Sequence, residues 1–214
     1  MIQRTLNGET EVEFMRFVSV YGTDQEILRA INSIYLDDIG FGLDPTYSKG
    51  NIYNKWQEPR LKYDLVPQTS DTEKADCRKL PLKDNSEISI VFDPPFLFRD
   101  RKAINNDVIC SRFSYFKTFD DLKKMYAESL VEFYRILQER GILVFKCQDM
   151  TDGKFYDTHN WIIQKARDIG FELRDIFILV KKNKIIPKAK KQNCSRKVHS
   201  YYLVFRKGLI KEVN

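Results

Sequence analysis

Four consecutive residues, Asp93-Pro94-Pro95-Phe96, combine an acid, two conformationally fixed carbonyls and an aromatic ring directly after the apolar run Ile88-Ser89-Ile90-Val91-Phe92. The run reads as a buried strand, stopped by two prolines that cannot continue a ladder. Such a set suits one particular problem. An amino group conjugated to an aromatic base is a poor nucleophile, because its lone pair is spread into the ring. A carboxylate and a backbone carbonyl that accept its two N–H bonds draw the pair back onto nitrogen. Asp93 and the carbonyl of Pro94 can fill those places, Phe96 can stack on the base, and proline holds φ so that the carbonyls stay aimed. The same residues would also make an ordinary strand-ending turn, with Asp93 capping backbone groups and Phe96 packed into the core.

Three acidic positions precede the tetrapeptide at the ends of other short strand-like segments. Asp44-Pro45-Thr46-Tyr47-Ser48-Lys49-Gly50 follows the apolar run Ile39 to Leu43, Asp64 closes Lys62-Tyr63-Asp64, and Asp76 closes residues 73–76, with Cys77 next. Each alone reads as a loop-capping carboxylate. As an ordered set ending in Asp93-Pro94-Pro95-Phe96, the chain resembles the S-adenosylmethionine-dependent amino-methyltransferases of nucleic acids. Their motif is D/N/S-P-P-Y/F/W, preceded by a cofactor loop D-P-x-x-G-x-G. Gly50 matches the second glycine of that loop, and Ser48 stands in place of the first. The resemblance covers about residues 24–206, in the cofactor-first order of the gamma group.

The resemblance implies S-adenosyl-L-methionine as cofactor, held by Asp44, Pro45, Thr46 and Gly50. Asp64 would sit at the ribose hydroxyls, and Asp76 and Cys77 beside the adenine ring. It implies catalysis by Asp93, Pro94, Pro95 and Phe96 on an exocyclic amino group, adenine N6 in DNA first. Cytosine N4, an RNA base, or a noncatalytic nucleic-acid-binding subunit are the alternatives. The implied fold is α/β: a doubly wound, mostly parallel seven-stranded sheet of the class I methyltransferase, Rossmann-like type, with an antiparallel edge hairpin. No target-recognition domain follows that hairpin, so specificity is expected to be slight or supplied by a partner subunit.

Hydrophobic periodicity independently supplies elements that would position these residues. Residues 24–37 carry Ile27, Leu28, Ile31, Ile34 and Tyr35 at helical spacing, with Thr23 or Asp24 as cap. Residues 119–140 form a longer amphipathic helix, with Gly141 expected to end it. Short strands are expected at 39–43, 61–65, 73–76, 88–92 and 142–146, a further helix at 156–169 ending at Gly170, and two final strands at 171–180 and 201–206. Strands alternating with helices give a mostly parallel sheet, and a last pair joined without a helix gives an antiparallel hairpin. We read residues 1–214 as one domain.

The segment joining the last two strands is the compositional outlier. It holds Lys181, Lys182, Lys184, Lys188, Lys190, Lys191, Arg196 and Lys197 with no acidic residue. Eight cations could neutralise several phosphates, with salt dependence of roughly −0.9 in log-log slope per phosphate on B-DNA. Residues 97–118 interleave Arg99, Arg101, Lys102, Arg112 and Lys117 with Phe98, Phe113, Tyr115 and Phe116. They are expected either to hold an extruded base and its neighbours or to tuck their rings onto the core. Both segments, 97–118 and 181–198, are candidate substrate-facing loops, and a net charge of +6 agrees with a polyanionic partner, DNA before RNA. Four dispersed cysteines, none in a C-x-x-C pair, suggest thiols of a cytoplasmic protein, and two lone histidines suggest no metal. No stretch approaches the roughly 20 apolar residues that span a bilayer, so no membrane partner is expected.

Overall fold

Thr23 opens the first helix, α1 (Asp24–Tyr35), through a reciprocal capping box in which its side chain accepts the Glu26 amide and Glu26 reaches back to the Thr23 amide. Ile27, Leu28 and Ile31 then fall on one buried stripe. In the computed structural model the described residues are 2–6, 9–13, 17–98, 116–181, 194–195 and 197–208. Two short strands, β1 (Ile2–Leu6) and β2 (Glu9–Glu13), pair with each other, and β3 (Val20–Tyr21) precedes α1. Four strands follow α1: β4 (Leu43–Asp44), β5 (Leu61–Asp64), β6 (Glu73–Lys74) and β7 (Glu87–Phe92). Then come α2 (Phe119–Ile136), β8 (Leu137–Cys147), a small pair β9 (Met150–Asp152) and β10 (Lys154–Tyr156), α3 (Thr158–Ile169), β11 (Phe171–Val180) and β12 (His199–Lys207).

The main sheet runs in the order β3-β11-β12-β8-β7-β4-β5-β6. The β4–β5, β5–β6, β4–β7 and β7–β8 pairings are parallel, and β12 lies antiparallel between β8 and β11. Strand order reverses between β4 and β7. In open α/β sheets such a switch point leaves a crevice at the carboxyl ends of the strands.

Both faces of the sheet are covered, as a doubly wound fold requires. Ile27, Leu28 and Ile31 of α1 pack with Val91, Val144 and Val204 on one face. Tyr126, Leu130 and Phe133 of α2 and Ile162 of α3 pack with Phe92, Phe145 and Phe205 on the other. The alternation along β7 and β8 therefore sends Val91 and Val144 toward α1, and Phe92 and Phe145 toward α2.

The α/β, mostly parallel architecture agrees with the sequence reading, and four details differ. The sheet has eight strands: β3 pairs in parallel with β11, so the β11–β12 hairpin is not the open edge. The apolar run 39–43 yields only Leu43–Asp44 as strand, because the backbone turns at Gly40, where φ is +100. The segment 73–76 gives a two-residue strand. Helix α2 stops at Ile136, four residues before the expected end. Leu137 is extended there and pairs with Glu87, a bulge separates it from the Ser89–Ile142 register, and Arg140 turns with φ +63. A buried leucine satisfies helix and strand patterns alike, so periodicity could not place that boundary. By contrast α3 ends at Gly170 as read, the glycine taking φ +116 and donating to Ala166 and Arg167. No described helix is long and apolar enough to cross a membrane.

Candidate active site

Asp44 ends β4 and is almost fully buried. Its Oδ1 accepts the Thr46 amide at 2.8 Å and the Thr46 hydroxyl at 3.3 Å, and its Oδ2 accepts the Tyr53 hydroxyl at 2.9 Å. Burial pushes its carboxyl up to about 7; the Thr46 and Tyr53 hydrogen bonds work against that rise, and the nearby Asp93 charge adds to it. Thr46 Oγ1 also accepts the Asp93 amide at 3.1 Å. One threonine thus joins the loop after β4 to the tetrapeptide after β7 across the switch point.

The rest of the loop bends tightly. Pro45 follows Asp44 into it, and the Tyr47 amide donates to the Tyr63 carbonyl of β5 at 3.0 Å. Ser48 takes φ +52, the left-handed conformation that a glycine would occupy freely. Its amide donates to Asp64 Oδ2 at 2.9 Å. Gly50 has φ +65, and a Cβ there would run into the Tyr47 hydroxyl. The departure of Ser48 from the glycine pattern therefore leaves the backbone shape intact. Asp64 also accepts the Val66 amide through Oδ1 at 2.8 Å, so it braces the loop from the end of β5.

Asp76 lies beyond β6 and is gripped by Arg78, whose guanidinium reaches both carboxylate oxygens, the closest approach being 2.6 Å. That guanidinium holds the carboxyl below its ordinary range. Cys77 is half-buried with Sγ 3.3 Å from the Ser129 hydroxyl, and burial raises its thiol to about 11.

Asp93 leaves β7 on the α1 side of the sheet. Its Oδ2 accepts from Lys146 Nζ at 3.0 Å, and the same ammonium lies 2.8 Å from Asp24 Oδ1 at the start of α1. Asp24 Oδ1 also accepts the Tyr202 hydroxyl at 2.6 Å, and Lys181 approaches Asp24 Oδ2 at 3.6 Å. Burial alone would push the Lys146 ammonium down; the Asp93 and Asp24 carboxylates outweigh it and hold it above its ordinary value. Pro94 is buried, Phe96 half-buried, and the Pro95 carbonyl accepts the Tyr126 hydroxyl of α2 at 2.8 Å.

Phe98 packs against Phe119 and Tyr156 at ring separations of 5.3 and 4.9 Å, and Phe116 lies against the same core, so these two rings follow the core-packing alternative. Lys117 lines a cleft of about 550 Å³ with Phe119, Lys123, Lys154 and Phe155. Arg99, Arg101, Lys102, Arg112, Phe113 and Tyr115 lie outside the described residues, as do Lys182, Lys184, Lys188, Lys190, Lys191 and Arg196. Of the basic segment, Lys181 is exposed on the Asp24 side, and Lys197 stands 4.9 Å from the centre of the Phe155 ring.

The structure therefore gathers Asp44, Pro45, Thr46, Gly50, Asp64 and Asp93 around the switch point, while Asp76 is engaged by Arg78. Sequence reading gave no part in the site to Lys146, Asp24, Tyr53 or Tyr126. It also missed a cluster past β8. Asp149 there holds His159 Nδ1 at 2.8 Å, the His159 ring stacks on Tyr201 at 4.4 Å, and His199 Nε2 meets the Tyr201 hydroxyl at 3.1 Å.

No protein-family model matches the chain, and no curated protein does. Solved structures do. A candidate sarcosine dimethylglycine methyltransferase from Galdieria sulphuraria matches 86% of this chain and 85% of its own, at TM-score 0.52 and 12% identity. TrmN from Thermus thermophilus matches 86% of this chain and 48% of its own, at TM-score 0.50 and 15% identity. A candidate DNA modification methylase, also from Thermus thermophilus and solved with S-adenosyl-L-methionine, matches 63% of this chain and 54% of its own, at TM-score 0.45 and 19% identity. The chain spans about half the length of that methylase. At these identities the likeness concerns fold, and the fold is that of the class I methyltransferases.

Proposed function

We propose that the chain is an S-adenosylmethionine-dependent methyltransferase acting on an exocyclic amino group of a nucleic-acid base, adenine N6 in DNA foremost. The observation that carries the reading is the hydrogen bond from the Asp93 amide to Thr46 Oγ1. It couples a tight, left-handed loop after β4 to an acid-Pro-Pro-aromatic turn after β7, at the point where a class I sheet leaves its crevice.

The loop residues fit the cofactor. Ser48 and Gly50 both hold left-handed backbone, and Tyr47 fills the space a side chain at Gly50 would need, so the turn is tight and its shape is fixed. Asp64 keeps its two oxygens on backbone amides, and each oxygen has a further lone pair for a ribose hydroxyl. Asp76 and Cys77 would border the adenine from the end of β6, with Arg78 fixing the Asp76 carboxylate. When bound, S-adenosylmethionine supplies an electrophilic methyl group on its sulfonium.

The chain's own residues then deal with the amino group. Asp93 Oδ1 has no hydrogen-bond partner among the described residues and can accept one N–H, and the Pro94 carbonyl the other. The bond from Tyr126 to the Pro95 carbonyl holds the turn that aims them. Phe96 offers a ring face to the base, and the amino proton leaves to solvent. The basic segment from Lys181 to Lys197 and the segment 97–118 would hold the polymer, with Arg99 and Arg101 contacting phosphate.

Tritium transfer from labelled S-adenosylmethionine into genomic DNA and, separately, total RNA, followed by nucleoside mass spectrometry, tests this. N6-methyladenine from DNA is the expected product. N4-methylcytosine or a labelled RNA nucleoside would keep the mechanism and move the substrate. No label in either polymer, with cofactor bound, would overturn the reading.

A further inference from the structure

Lys146 is 5% exposed and belongs to β8, whose parallel register sets Phe145 against Phe92, so Lys146 stands beside Asp93 where β7 ends. A buried ammonium costs several kcal/mol of desolvation unless matched. Two carboxylates match this one, Asp93 at 3.0 Å and Asp24 at 2.8 Å, and the Tyr202 ring lies 5.5 Å away on the neighbouring strand. The same face of the sheet is otherwise lined by Val91, Val144 and Val204, and a buried ion pair is seldom more stabilising than well-packed apolar residues in place of all its members. What a lysine adds at this place is a fixed hold on one oxygen of Asp93.

We infer that Lys146 is a positioning residue for methyl transfer: by holding Asp93 Oδ2 it leaves Oδ1 turned toward the amino group, and Asp24 anchors Lys146 in turn. The inference rests on the proposed amino-methyl transfer and adds a residue to it. Asp93 is gripped at two points, its amide by Thr46 and its carboxylate by Lys146. The first fixes the backbone from which the side chain springs, and the second the χ1 and χ2 torsions that decide where Oδ1 lies. Asp24 is itself tied by the Tyr202 hydroxyl at 2.6 Å, so the anchor runs from β8 through the start of α1 to β12. Lys181, 3.6 Å from Asp24 on the other side, balances the second carboxylate. Lys146 does not touch the reacting atoms. A misplacement near 1 Å costs on the order of 10²-fold in rate, and that is the size of effect a lost hold on Asp93 produces.

The test is steady-state label transfer by wild type, Lys146→Met and Lys146→Arg, with cofactor affinity by calorimetry and folding by circular dichroism. Lys146→Met is expected to lower kcat by on the order of 10²-fold, with KM for the nucleic acid and Kd for S-adenosylmethionine within about threefold of wild type. Lys146→Arg keeps the charge on a different fork and should fall between the two. Lys146→Met with kcat within threefold of wild type would overturn the inference, as would a loss confined to KM or Kd. Should Lys146→Met fail to fold, Lys146→Arg decides: about tenfold lower kcat at unchanged Kd supports the role, and wild-type kcat refutes it. Wild type without transfer to any base would instead remove the parent reading, a result distinct from either.

Discussion

Asp44 and Asp93 end neighbouring parallel strands and share Thr46, yet their surroundings give them opposite characters. Asp44 is sealed beneath its loop, its oxygens spent on Thr46 and Tyr53, and its carboxyl rises to about 7 because burial disfavours the charge. Asp93 is partly open, meets a buried ammonium through one oxygen, and keeps the other unengaged among the described residues. A strand end thus supplies a position, and the partners decide whether the acid there braces a loop or faces a substrate. Tyr53 and Lys146, neither adjacent to its acid in sequence, make that difference.

The division can be broken most severely at Asp93. Asp93→Ala should lower methyl transfer by roughly 10²–10³-fold or more while leaving S-adenosylmethionine affinity near wild type, measured by label incorporation and calorimetry. Equal losses in turnover and cofactor binding would mean that the two acids serve one structural purpose.

On the Asp44 side, Asp44→Asn keeps the shape and removes the titration. The sign follows from linkage. A folded carboxyl at about 7 against an ordinary 3.8 retains a proton that the unfolded chain has lost, so stability falls as pH rises between those values, by at most about 4 kcal/mol. Thermal melts from pH 4 to 7 should therefore lose less stability in Asp44→Asn than in wild type. A slope unchanged by the substitution would show that Asp44 stays ionised throughout.

Gly50→Ala probes the loop that Asp44 braces. A Cβ at φ +65 against Tyr47 should cost about 1–3 kcal/mol and weaken cofactor binding, whereas transfer at saturating cofactor should suffer less than in Asp93→Ala. The gentlest change is Ser48→Gly, at φ +52. It relieves a left-handed serine and should shift stability by no more than about 1 kcal/mol with cofactor affinity preserved, which a paired melt and titration would establish.

Legibility in the sequence followed the range of the interactions. Asp44 and Asp93 stand out because an apolar run stops at each and proline takes over, and Asp64 by its place between them in an ordered set. The α/β order was readable from periods of 3.6 and 2, and Gly170 marked the end of α3 by needing a left-handed cap. Leu137 defeated the pattern because helix and strand both bury it. Lys146 reads as a charge at the rim of a strand, and Asp24 as a candidate helix cap. Only the register of β7 against β8 and the packing of α1 on that face bring them to Asp93. Asp76 shows the converse: an acid at the expected place, already engaged by an arginine two residues on.

The measurement that bears most directly on the division between a cofactor loop after β4 and a catalytic turn after β7 is calorimetric titration of S-adenosylmethionine into wild type, Asp64→Ala and Asp93→Asn. Binding to wild type is expected, with an affinity at least about tenfold weaker in Asp64→Ala, where the Ser48 amide loses its acceptor, and near-wild-type affinity in Asp93→Asn. No binding to wild type, or equal affinity in wild type and Asp64→Ala, would contradict the assignment of the loop after β4 to the cofactor.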